Sequence, residues 1–212
     1  HTLVVSTGLA GDAYAGNNSR SVALNLISAT PQPLPFVQDV EAAVVAPPGW
    51  TLENPDNSTT WTTYAAANGP TCAASTTWRI DNYSYNAPGQ QDRLVTPLIS
   101  LAGAAGTRLL FDRSHAQYSS TYNDALRVEV SANCGGTWTQ VFFAQGAALA
   151  TTAATTSAFV PSNCSQWQTT DIDLSAYDGQ TILIRFININ DYGNYLYLDN
   201  VALTQNGLKV AV

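Results

Sequence analysis

Asp171 and Asp173 are the paired carboxylates that this chain offers for acid–base chemistry. They stand two apart in a stretch with strand alternation, so both fall on one face, about 6.5–7 Å from each other. A glycosidase needs two carboxyl groups roughly 5–9.5 Å apart. The same Asp-x-Asp-Leu-Ser is more often an ordinary exit from strand to turn. Nucleophilic triads and zinc hydrolases need histidines, and apart from His1 the chain has only His115, which reads as a polar residue at a strand end. A glycine-rich phosphate loop, a Gly-x-Ser-x-Gly elbow and a His-Glu-x-x-His helix are absent. The expectation is a non-catalytic protein, with a glycoside hydrolase as a remote alternative.

Tyrosines offer a different chemistry. Tyr83, Tyr85, Tyr118, Tyr122, Tyr192, Tyr195 and Tyr197 fall in or near expected loops and strand ends. Aromatic faces stack on sugar C–H surfaces, while polar side chains bond the hydroxyls. Tyr118 and Tyr122 with Asn123, Asp124 and Arg113 form the candidate ligand-binding set. The plainer alternative puts half of these rings in the core, their hydroxyls bonded to backbone. Cys72, Cys134 and Cys164 are too widely spaced for a Cys-x-x-Cys metal knuckle. An odd count allows one bridge and a free thiol, or no bridge. Cys134–Cys164 is the preferred bridge, tying the loop after one strand to the loop before a later one; three isolated thiols are the alternative.

Charge narrows the partners. Eight basic against 15 acidic residues give a net charge of -7, and Lys209 is the sole lysine. Phosphate neutralisation needs clustered Lys and Arg, so nucleic acid and anionic membrane surfaces are excluded as expected partners. An acidic surface attracts cations, and calcium is the natural candidate. No stretch of 18 apolar residues is present, so no membrane helix is expected. Thr, Tyr and Trp favour pleated surfaces, and Asn, Gly and Pro supply turns. The composition is that of an extracellular all-β protein, and the opening residues lack the pattern of a signal peptide. A segment of a longer secreted or cell-surface protein is expected.

These residues need strands to position them. Residues 1–30 hold two short β-like runs, Leu3–Ser6 and Val22–Ser28, around a polar loop: a β-hairpin-like extension or the end of a preceding β-domain. Residues 31–35, Pro-Gln-Pro-Leu-Pro, read as a stiff linker. The main domain is expected over 36–206, with a tail at 207–212. Ala125–Ser131 alternates Leu126, Val128 and Val130 against Arg127 and Glu129. In another strand Leu109, Phe111 and Arg113 share one face. Trp138–Ala144, Thr169–Leu174 and Leu196–Leu203 are further strands, and Thr181–Ile189 reads as a central strand covered on both faces. Ala144–Ala158 is expected to be a loop. This pattern predicts an all-β fold, an antiparallel jelly-roll β-sandwich.

Several motifs then occur in order: Pro48-Gly49-Trp50-Thr51 after Glu41, Asn54-Pro55-Asp56, Asp81-Asn82-Tyr83, Asp92-Arg93-Leu94-Val95-Thr96-Pro97, Asn133-Cys134-Gly135-Gly136-Thr137-Trp138, Asp173-Leu174-Ser175, and Gly193-Asn194-Tyr195-Leu196-Tyr197-Leu198-Asp199-Asn200-Val201. The series resembles the jelly-roll domain of the gingipain cleaved-adhesin and choice-of-anchor J group, which is similar in architecture to MAM domains, over roughly residues 36–204. Such modules occur in secreted multidomain proteins of Bacteroidota, often behind metallopeptidases. The resemblance implies a calcium-stabilised, non-catalytic module for adhesion or targeting to glycan or protein surfaces. It places the metal ligands at Glu41, Asp56, Asp92 and Asp199, with Asn54 and Asn57 as neutral donors. Pairing of first and last strands would bring Glu41 beside Asp199. Trp50, Trp61, Trp138 and Trp167 lie in motifs of the group and are expected in the core. A monomer attached to neighbouring domains is expected; the competing role is a structural spacer packed on a peptidase domain.

Overall fold

The computed structural model describes residues 2–8, 10–23 and 30–205. Strands β1 (Thr2–Ser6) and β2 (Ser19–Ala23) pair as an antiparallel hairpin of their own. The sandwich is built from β3 (Phe36–Gln38), β4 (Thr51–Glu53), β5 (Thr62–Ala66), β6 (Ser75–Ile80), β7 (Gln91–Val95), β8 (Ile99–Ser100), β9 (Arg108–His115), β10 (Ala125–Ser131), β11 (Thr139–Gln145), β12 (Gln168–Asp173), β13 (Thr181–Ile189) and β14 (Leu196–Thr204). One sheet runs β11-β10-β13-β7-β4, with β8 also on β13; the other runs β12-β9-β14-β6-β5, with β3 on β14. Every strand pair is antiparallel. The chain crosses repeatedly from one sheet to the other, so an antiparallel β-sandwich is observed as expected.

The apolar pattern explains the layers. Strand β13 lies between β10 and β7, and Ile182, Leu183, Ile184, Phe186 and Ile187 are all buried. Its one charged residue, Arg185, bonds Glu129 on β10 at 2.7 Å and lies 4.1 Å from the Trp138 ring centre. Between the sheets Trp50 meets Trp78 at 4.9 Å, and Phe111 meets Phe186 edge-on at 5.2 Å. Trp50 and Trp61 are core residues as expected, whereas Trp138 and Trp167 are only half-buried.

Two expectations change. The disulfide joins Cys72 to Cys164, with Cα atoms 4.7 Å apart, and Cys134 is a free, exposed thiol. Cys134 sits in the β10–β11 turn, where Ser131 Oγ accepts from Gly135 N at 2.9 Å and Asn133 Oδ1 from Thr137 N at 2.8 Å. That turn belongs to the first sheet, while Cys164 precedes the edge strand of the second. The proline segment also does more than link. Gln32 bridges to Ile99, and Leu34 packs on the core, so 31–35 is seated against the sandwich. The expected strand at Val22–Ser28 falls partly, and the tail 207–212 wholly, outside the described residues.

Candidate functional site

Two pairs of carboxylates come together. The β3–β14 pairing aligns Gln38 with Val201, which carries Glu41 to the neighbourhood of Asp199. The Ser75 hydroxyl lies 2.8 Å from Glu41 Oε1 and 2.7 Å from Asp199 Oδ2. A hydroxyl has one proton to donate, so it cannot satisfy both anions at once. Asp199 is fully buried, and burial pushes its carboxyl up to about 6 against the donors Ser75 and Asn200 N. Asp112 and Glu41 raise it further.

Asp92 and Asp56 form the second pair. Strand β4 pairs with β7 as Glu53↔Arg93, and one step further that register sets Asn54 opposite Asp92. Asp92 is buried, which pushes its carboxyl up to about 6, and nearby Asp56 raises it further. Asp92 Oδ1, Asn54 Oδ1 and Thr60 Oγ1 are buried oxygens with no hydrogen-bond partner among the described residues. Asp56 is exposed and accepts from the Tyr85 hydroxyl and from Ser58 N. Among the described residues no three His, Cys, Asp or Glu side chains converge as a metal cluster. Each pair would therefore rely on neutral oxygens such as Ser75, Asn54 and Thr60. Sequence reasoning did not single out Ser75 or Thr60, because their roles depend on strands brought in from elsewhere.

Tyrosines gather from three loops. Tyr83 follows β6, Tyr118 and Tyr122 lie between β9 and β10, and Tyr192 precedes β14; together they line a cavity of about 150 Å³. Tyr118 meets Tyr122 edge-on at 5.4 Å, Tyr122 meets Tyr192 at 5.8 Å, and Tyr83 meets Tyr118 at 6.0 Å. Tyr118 and Tyr122 thus line one cavity together with Tyr83 and Tyr192. Tyr197 is core instead, its hydroxyl bonded to the Phe159 carbonyl at 2.8 Å.

The other three members of the expected ligand set are structural: Asn123 Oδ1 accepts from Gln117 Nε2 at 3.0 Å within its own loop, and Arg113 and Asp124 are held in the interior. Arg113 is buried, and its guanidinium is taken up by Thr170 Oγ1 at 3.1 Å, Gln168 Oε1 at 2.6 Å and the Leu149 carbonyl. Its place on the face of Leu109 and Phe111 directs it inward. Asp124 is buried beneath the β13–β14 loop and accepts from Asp191 N at 2.8 Å, Gly193 N at 3.3 Å and Asn194 N at 2.7 Å. A side chain at Gly193 would overlap the Asp124 carboxylate. Asp124 therefore shapes the loop that presents Tyr192, and does not face a ligand.

The candidate catalytic groups are accounted for locally. Asp171 and Asp173 are exposed and both face Arg108, at 2.8 and 3.4 Å. Asp173 also accepts from Ser175 N at 2.8 Å, which is the strand-to-turn exit. His115 is buried, its Nδ1 3.0 Å from the Tyr195 carbonyl, and burial lowers its pKa to about 4.

No protein-family model matches the chain, and no curated protein matches it. Solved structures do. The K1 cleaved adhesin domain of Lys-gingipain from Porphyromonas gingivalis W83 is 18% identical, with a TM-score of 0.56 over 81% of this chain and 98% of that one. The K2 domain of Lys-gingipain is 18% identical, with a TM-score of 0.54 over 82% and 99%. TmCBM61, a carbohydrate-binding module solved in complex with β-1,4-galactotriose, is 13% identical, with a TM-score of 0.50 over 79% and 94%. At such identities the likeness is one of fold: this chain has the gingipain adhesin-like β-sandwich.

Proposed function

We propose that this protein is a non-catalytic adhesion module of a secreted or cell-surface protein, and that its tyrosine-lined end contacts glycan or protein surfaces. The observation that carries this reading is the convergence of Tyr83, Tyr118, Tyr122 and Tyr192 from three loops on one cavity. Clustered aromatic rings with polar edges suit recognition of amphipathic surfaces. The adhesin and carbohydrate-binding neighbours support the same class. Among the described residues no helix is long and apolar enough to cross a membrane. Attachment to a peptidase belongs to the proposal as the setting of the module. Binding to immobilised glycan and protein panels tests it, with Tyr118→Ala/Tyr122→Ala as the variant that should weaken the signal.

Calcium is part of the proposal. Ca²⁺ takes six to eight oxygens, carboxylate and neutral, at flexible geometry. Glu41 and Asp199 with Ser75 would hold one ion, and Asp92 and Asp56 with Asn54 and Thr60 another. The support is the three orphaned oxygens at the second pair and the overcommitted Ser75 hydroxyl at the first. A bound cation would supply charge neutralisation there, and the chain's own residues would supply the fixed cradle. A spacer role is favoured by one feature, the hairpin residues Val4 and Val5, each 57% exposed.

A further inference from the structure

The outer face of the second sheet carries a cavity of about 430 Å³, separate from the tyrosine end. Its floor comes from adjacent strands: Leu110 and Asp112 on β9, Thr169 on β12, and Asn200 and Ala202 on β14. One wall is the β5–β6 loop. That loop is anchored beside β12 by the Cys72–Cys164 disulfide and by Trp167 Nε1, which donates to the Asn68 carbonyl at 2.9 Å. Pro70 and Thr71 are thereby held at the rim, with the Trp167 ring beside them.

The polar part of the floor is preorganised. Asp112 accepts from Thr169 Oγ1 at 2.5 Å and from Asn200 Nδ2 at 2.8 Å, which locks one side chain from each of three strands. Asn200 sits in the β-bulge of β14 at φ +53°, a left-handed conformation that Asn tolerates better than most residues. Bulges and strained backbone occur where a side chain must be re-aimed. Thr204, also lining the cavity, is buried, and its hydroxyl has no hydrogen-bond partner among the described residues.

The lining selects a chemistry. It contains no Lys, Arg or His, so it has no charge for an anion. The Asp112 carboxylate is already met by two donors and Asp171 by Arg108, so neither is left as an open counter-ion for an amine. What remains is an aromatic ring, a small apolar floor, spare carboxylate lone pairs, an amide and hydroxyls. We propose that this cavity is a second binding site, for a neutral saccharide. Its hydroxyls would donate to Asp112 and exchange hydrogen bonds with Asn200, and its C–H face would lie against Trp167.

Titration of the full chain with neutral gluco-, galacto- and xylo-oligosaccharides, read by calorimetry and tryptophan fluorescence, tests this. Ala202→Phe fills the floor, and Asp112→Asn removes the charged acceptor; thermal unfolding checks that both variants are folded. The expected result is binding by the parent, weakened about tenfold or more in each variant and retained in Tyr118→Ala/Tyr122→Ala. Absence of binding by every neutral saccharide, or binding unchanged in both Ala202→Phe and Asp112→Asn, overturns the proposal. Loss in the tyrosine variant alone would overturn this site while leaving the tyrosine-end reading intact.

Discussion

Glu41 and Asp199, 158 positions apart in sequence, converge on a single hydroxyl, with Ser75 Oγ within 2.8 Å of each carboxylate. Burial makes the ionised state of Asp199 costly and moves its carboxyl from 3.8 to about 6. The native state therefore keeps a proton that the unfolded chain releases between about pH 4 and 6. This group's stabilising contribution is full at low pH and falls as pH rises through 6. His115 runs the other way: its pKa is lowered to about 4, so stability drops as pH falls below about 6.5. The two effects overlap, and a variant separates them. Asp199→Asn is expected to be more stable than the parent by about 3 kcal/mol in EDTA at pH 7.5, an upper bound set by the shift. The gain should shrink at pH 5. With millimolar calcium the parent should regain the lead at pH 7.5. Chemical denaturation at the two pH values checks this, and equal calcium responses in parent and variant would remove Asp199 from any cation site.

Asp124 is expected to act through the loop it holds. Asp124→Ala strands three backbone N–H donors and should lower stability by about 3 kcal/mol. Gly193→Ala should displace the same loop by steric overlap with the carboxylate. Both variants should weaken ligand capture at the tyrosine end because Tyr192 loses its position. Proton exchange at Asp191–Asn194 should rise in both; unchanged exchange would contradict this role.

The strand layout was legible because alternation and burial agree. Ala125–Ser131 and Thr181–Ile189 are strands at the expected residues, the second between two neighbours. The parity that places Arg113 with Leu109 and Phe111 marks it as inward, so its buried, bonded guanidinium is readable from the pattern and outweighs its pairing with the tyrosines. Asp124 was not readable: its three partners come from a loop about 70 residues on. Nor was the cysteine pairing, since it depends on the β5–β6 loop reaching the approach to β12. Trp167 is expected in the core from its motif, and a motif cannot show which ring a distant loop leaves half open.

The disulfide closes a span of 92 residues. Loop-closure entropy then gives it about 4.6 kcal/mol of stabilisation. Cys72→Ala/Cys164→Ala should lower the unfolding midpoint accordingly, whereas Cys134→Ser should leave it unchanged. Thiol labelling of the folded protein should modify Cys134 alone, and labelling at Cys72 would contradict the pairing.

The most direct measurement of the central claim is binding to immobilised glycan and protein panels in calcium buffer, by Ala202→Phe, which fills the outer-face cavity, and by the same variant carrying Tyr118→Ala/Tyr122→Ala. Saturable capture by Ala202→Phe, lost when both rings are removed while the unfolding midpoint stays close to that of Ala202→Phe, is the predicted result. Capture that survives loss of both rings, or no capture across either panel, would contradict an adhesion module that works through its tyrosine end.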